Sequence, residues 1–127
     1  MTDPPPRLVI AAIDDDESIL WSVGHLLESA DYAARLFTSA SEFLASDCLP
    51  EIDCLISDID MPAIDGFELV RRVHAAWPSL PTILVTGYPD TLKRLPAAGR
   101  SVSSVLTKPF RGPELLAALE DAVRRCA

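Results

Sequence analysis

Four short polar groups stand at the ends of apolar runs: Asp14-Asp15-Asp16, Asp58-Ile59-Asp60, Thr86-Gly87 and Lys108-Pro109. Two or three carboxylates held about 4 Å apart repel by roughly 4 kcal/mol per pair at an effective dielectric of about 20. Such a cluster either keeps protons or binds a cation. A hard divalent ion such as Mg²⁺ suits carboxylates, a backbone carbonyl and waters, and it leaves positions free for phosphate oxygens. An aspartate beside that ion can attack phosphorus as a nucleophile and carry it as an acyl phosphate. Asp58 is the candidate for that role. Lys108 could pair with the carboxylate or with phosphoryl oxygens, and the Thr86 hydroxyl could bond a phosphoryl oxygen after transfer. Gly87, with no side chain, leaves an approach to Asp58 open.

These groups meet only if the runs before them are neighbouring strands. Leu8 to Ile13 is apolar without alternation, the pattern of a strand covered on both faces. Ile19, Leu20, Val23, Leu26, Leu27 and Ala30 then recur at helical spacing. The alternation repeats with Tyr32 to Phe37 as a strand, Ser39 to Ala45 as a helix that Ser39 caps, and Cys54 to Ser57 as the third strand. Pro62 and Gly66 mark a loop; Phe67, Val70, Val73 and Trp77 form a helical stripe, with Trp77 assigned to the core, and Pro78 stops that helix. Thr82 to Val85 and Val102 to Leu106 are strands four and five, and Leu115, Leu116, Leu119 and Val123 line a last helix that Pro113 can start.

Strands alternating with helices imply an α/β, doubly wound parallel sheet of the (βα)5 kind, with right-handed crossovers and helices on both faces. Sites in such sheets lie beyond the carboxyl ends of the strands, where the four polar groups stand. Pro89 and Pro96 flank Asp90 to Leu95, so the fourth helix is expected to be short or distorted.

A chain of 127 residues with 49% hydrophobic and 24% charged residues has the size of one domain with one core. Its formal charge of −8 disfavours direct binding to nucleic acid, because affinity for phosphate backbones comes mainly from Lys and Arg. No apolar run reaches the roughly 20 residues of a membrane span and no leader pattern opens the chain, so no membrane partner and a cytoplasmic protein are expected. Residues 1–7, with three consecutive prolines, are expected to form a disordered tail, and 8–127 one domain without a linker to another. Cys48, Cys54 and Cys126 lack paired spacing and read as reduced thiols. His25 and His74 read as surface or interface packing, with no matching ligands nearby.

The segments Ile13-Asp14-Asp15-Asp16, Leu55-Ile56-Ser57-Asp58-Ile59-Asp60-Met61-Pro62 with Asp65-Gly66, Leu84-Val85-Thr86-Gly87 and Leu106-Thr107-Lys108-Pro109-Phe110 resemble the motifs of two-component response regulator receiver domains, CheY-like and FixJ-receiver-like. The likeness spans nearly the whole chain from Leu8. It implies the flavodoxin-like strand order 2-1-3-4-5 and a phosphoacceptor at Asp58. It also implies Mg²⁺ (or Mn²⁺) held by Asp15 directly, Asp14 through water, Asp58, and Asp60 through its main-chain carbonyl. Thr86 and Lys108 would be the switch and charge-pairing residues, with Gly87 beside them. Pro109 would follow a cis bond that aims the lysine, and Asp60 and Tyr88 would tune phosphoryl lifetime. The function implied is a single-domain response regulator, not a conventional enzyme, taking its phosphoryl group from a histidine kinase or phosphotransfer protein. It would act on an unknown downstream protein in two-component signalling or a phosphorelay.

Three features depart from the pattern. Val105 stands where most receivers place Tyr or Phe, Ser101-Val102 replaces a usual Gly-Ala pair, and the prolines weaken the helix before strand five. A valine cannot carry the aromatic rotamer switch, so an alternative is a receiver-fold adaptor with weak or absent phosphorylation switching. A third reading takes Asp58-Ile59-Asp60 as the Asp-x-Asp of a magnesium-dependent phosphatase. It is disfavoured, because in those enzymes the motif follows the first core strand. Asp14 to Asp16 taken alone would read first as helix caps.

Overall fold

Apolar runs covered on both faces become central strands, and runs with one apolar stripe become the helices that cover them. The computed structural model describes residues 7–88, 90 and 102–125. Its elements are β1 (Val9–Ile13), α1 (Glu17–Ser29), β2 (Ala33–Phe37), α2 (Ala40–Ala45), a 3-10 turn (Leu49–Glu51), β3 (Cys54–Asp58), α3 (Gly66–Ala76), β4 (Thr82–Thr86), β5 (Ser104–Thr107) and α4 (Gly112–Arg125). All strand pairs are parallel and the order is β2-β1-β3-β4-β5, the order the resemblance implies. The expected short or distorted helix after β4, the tail residues 1–6, Ser101 and Cys126 lie outside the described residues.

Alternation along β1 sorts the core into two layers. Ile10 and Ala12 face α1 and α4 through Leu20, Val23, Leu27, Leu115 and Leu119. Ala11 and Ile13 face α2 and α3 through Phe43, Leu69 and Val73. Burying each of the Ile, Leu, Val and Phe side chains stabilises the fold by about 1.5 to 3 kcal/mol. A smaller cluster of Ile59, Phe67, Val70 and Leu84 receives Val105 and Val102 at the β5 edge.

Local signals set the helix ends. Asp16, Ser39 and Asp65 cap α1, α2 and α3, each accepting from backbone N–H groups of the first turn. The capping reading of the aspartate run therefore holds for Asp16, which accepts from Ser18 N and Ile19 N. Trp77 is a correction: it is 45% exposed rather than part of the core. The helix ends at Ala76, and Trp77 precedes a proline, which pushes its backbone out of the helical region to φ −135° and ψ 77° and off the apolar stripe. Cys48 and Cys54 are buried thiols outside any disulfide. His25 is exposed beside Trp21, and His74 Nε2 reaches the Leu80 carbonyl at 3.0 Å and Thr82 Oγ1 at 3.1 Å. No described helix is long and apolar enough to cross a membrane.

Candidate functional site at the carboxyl end of the sheet

The parallel register levels the strand ends. Ile13 pairs with Ser57, Asp58 with Val85, and Thr86 with Thr107. Asp14, one step beyond Ile13, therefore comes beside Asp58, one step beyond Ser57. Asp58 and Thr86 are the last residues of β3 and β4, one residue further into the strands than the apolar runs end, and both are buried. The ladder bonds Ile59 N–H to Val85 O at 2.8 Å and Lys108 N–H to Thr86 O at 2.8 Å carry the sheet past these residues and fix where their side chains start.

One carboxylate oxygen each from Asp14, Asp15 and Asp58 lie within 4.8 Å of one another. Asp14 and Asp58 are buried and Asp15 is exposed, so the cluster opens to solvent on one side. Lys108 bridges the buried pair, its Nζ 3.0 Å from Asp14 Oδ2 and 3.4 Å from Asp58 Oδ1. The Lys108–Pro109 bond is cis. Burial pulls the Lys108 ammonium down, yet its hydrogen bond and attraction to Asp14, reinforced by Asp58, leave it above its ordinary value. Burial, then the Asp14 charge, pushes the Asp58 carboxyl up to about 6, with Lys108 offsetting only part of this.

The donor set fits a hard divalent cation. Three carboxylates converge with one ammonium between two of them, and the buried Asp58 Oδ1 meets only the long 3.4 Å ion pair to Lys108, with no hydrogen bond among the described residues. One ammonium does not balance three carboxylates, and a cation offers the further compensation that buried charge needs.

Asp60 behaves differently. Its carboxylate stands outside the cluster and accepts the Thr86 hydroxyl, Oγ1 to Oδ2 2.6 Å. The metal role that the resemblance implies for Asp60 runs through its main chain and does not compete with this side-chain bond. Tyr88 is exposed and joins the same turn, its N–H donating to Thr86 Oγ1 at 3.0 Å. Gly87 is exposed, and a Cβ there would meet only Lys108 Cδ, at 4.0 Å, so the glycine leaves open space beside the lysine.

Two features escaped the sequence reading. The bond from Thr86 to Asp60 joins residues 26 apart and has no local signature. Gly66, read as a loop marker, is the close approach behind Asp58: a Cβ on it would stand 2.7 Å from both the Asp58 carbonyl oxygen and Ile59 Cα. The signal was there, a glycine directly after an N-cap aspartate, but its packing partner was not. An apolar groove of about 720 Å³ begins at Gly87 and Lys108 and runs past Ile19, Val23, Leu26 and Phe110, between α1 and the start of α4.

Comparison with known proteins agrees with this geometry. A family model described as the response regulator receiver domain matches residues 10–120. The transcriptional regulatory protein FixJ of Bradyrhizobium diazoefficiens is 36% identical over 118 residues, covering 91% of this chain and 57% of that protein. The DNA-binding transcriptional regulator NtrC of Salmonella typhimurium is 32% identical over 117 residues, covering 92% of this chain and 25% of that protein. The chain thus spans about half or less of these curated relatives. Among solved structures, the signal receiver domain of an HD domain-containing protein from Pseudomonas fluorescens superposes with a TM-score of 0.85 at 31% identity, covering 95% of this chain and 98% of that one.

Proposed function

Since the chain belongs to the response regulator receiver domain family of two-component signalling, we propose that it accepts a phosphoryl group on Asp58 and signals through protein contacts. The observation that carries the reading is the buried Asp58 carboxylate at the end of β3, inside a carboxylate triad and ion-paired to Lys108. Asp14, Asp15, Asp58 and the main chain of Asp60 would hold Mg²⁺ or Mn²⁺, which when bound neutralises charge on the transferring group.

The rest falls to the protein's own groups. An Asp58 carboxylate oxygen forms a bond to phosphorus as the bond from phosphorus to the donor's imidazole nitrogen breaks, and the imidazole keeps the electron pair. Lys108 loses one partner for its charge in Asp58 and gains another in a phosphoryl oxygen. Thr86 supplies a hydroxyl to a second oxygen, which biases the β4 end toward one of two positions. Open space at Gly87 and the apolar groove beside Lys108 offer a protein donor a way in, either a histidine kinase or a phosphotransfer protein. The setting we propose is the cytoplasm, with regulation rather than turnover of an external substrate.

Intact-mass spectrometry after incubation with acetyl phosphate tests this. One added phosphoryl group that needs both Mg²⁺ and Asp58 supports the reading. An adduct that persists in Asp58→Asn or in EDTA overturns it.

Val105 favours a second reading. It is half-buried against the Ile59, Phe67, Val70 and Leu84 cluster, and position 105 itself carries no aromatic ring to report on Thr86. A receiver-fold adaptor with weak switching would bind its partner equally well with and without beryllium fluoride; the phosphoacceptor reading expects a difference.

A further inference from the structure

A hydroxyl has one proton to give, and at Thr86 it is already committed. Thr86 is fully buried, and its Oγ1 lies 2.6 Å from Asp60 Oδ2 against 3.2 Å from the Tyr88 carbonyl. The short bond to a carboxylate is the stronger of the two. Tyr88 N–H donates to the same oxygen at 3.0 Å and occupies one of its lone pairs. Among the described residues no hydrogen bond joins the Thr86 hydroxyl to Asp58, although both side chains stand at the ends of adjacent strands.

We propose that the Asp60 carboxylate is a resting-state latch on Thr86. It holds the proton that an incoming phosphoryl group on Asp58 would need, so the phosphoryl group and the Asp60 carboxylate make competing claims on one hydroxyl. This rests on the phosphoacceptor reading of Asp58 and deepens it. Asp60 is then a positioning residue that acts through Thr86. Its carboxylate sets how far the phosphorylated state must reach before the β4 end moves. That gives the chain a threshold seated at the residue two beyond the acceptor, independent of the aromatic position that Val105 occupies.

A simpler effect must be separated from it, since any anion near Asp58 is repelled by Asp60 whatever Thr86 does. Asp60→Ala removes both charge and acceptor, whereas Asp60→Asn removes the charge but keeps an acceptor; both keep the main-chain carbonyl. The experiment titrates beryllium fluoride into the Mg²⁺-loaded full chain for the wild type, both variants, and both again in a Thr86→Val background. A latch predicts that Asp60→Ala binds on the order of tenfold tighter than wild type, the size expected for one charge-assisted hydrogen bond, with Asp60→Asn between them. In the Thr86→Val background the two Asp60 variants should become equal. Equal gains from the two Asp60 variants while Thr86 is present, or a difference between them that survives Thr86→Val, overturns the latch and leaves repulsion alone.

A second measurement needs no anion. Three-bond couplings that report Thr86 χ1 should show one rotamer in the resting wild type and averaging in Asp60→Ala. Unchanged couplings overturn the latch. If the couplings loosen while the wild type takes up no beryllium fluoride, the hold on Thr86 is upheld and it is the phosphoacceptor reading that fails.

Discussion

At the scale of single residues, Asp58 holds a charge where burial opposes it. Its carboxyl is raised from 3.8 to about 6, by burial first and by Asp14 second. A raised carboxyl binds more protons folded than unfolded between those values, so ionising it on folding destabilises the protein as pH rises through that window. The penalty is complete above about pH 7, where it amounts to roughly 3 kcal/mol, and absent below about pH 3. Metal-free Asp58→Asn should therefore be more stable than wild type by about 2 to 3 kcal/mol at about pH 8, with the gain shrinking to nothing on acidification. Urea unfolding of both proteins across that range checks the sign. A cation competes with the same proton, so apparent Mg²⁺ affinity should fall about tenfold between pH 7 and pH 5, as calorimetric titration would read.

At the scale of elements, the loop from β3 to α3 has two positions that favour glycine, and only one of them carries it. Gly66 opens α3 where a Cβ would stand 2.7 Å from the backbone of Asp58 and Ile59, neither of which can swing aside. Gly66→Ala should cost about 1 to 3 kcal/mol in chemical denaturation and weaken Mg²⁺ binding, because the end of β3 must shift. Ala63 has φ 65°, a left-handed conformation that its Cβ disfavours. Ala63→Gly should raise stability by about 1 kcal/mol and leave the metal site in place. The strands and their polar ends were readable because apolar runs and helical stripes are local patterns. Trp77 was misread because the stripe was carried up to Pro78, whereas the residue before a proline already leaves the helical region. Asp60 was readable as a motif residue but not as a partner of Thr86, since that contact spans two strand exits.

At the scale of the whole molecule, a parallel sheet collects residues distant in sequence at one end, and the order β2-β1-β3-β4-β5 puts the β1, β3, β4 and β5 exits side by side. The fold class followed from alternation of element types, whereas the exact strand order came with the resemblance. What the sheet collects is net negative around Asp14, Asp15 and Asp58, so a bound divalent cation should stabilise the entire domain. At a hundredfold excess over its dissociation constant the gain is about 2.7 kcal/mol by mass action. Asp15→Asn, the exposed member of the triad, should lose most of that gain at the same Mg²⁺ concentration in a thermal melt, with little change in the metal-free protein.

The phosphoryl group's destination, one carboxylate among four nearby, can be read chemically. Borohydride reduces an acyl phosphate to the alcohol, converting a phosphorylated aspartate to homoserine. After incubation with Mg²⁺ and acetyl phosphate, reduction and peptide mapping should find homoserine at position 58 alone, and none when Mg²⁺ is chelated. Homoserine at Asp14, Asp15 or Asp60 in place of Asp58, or conversion that ignores the metal, would contradict the account.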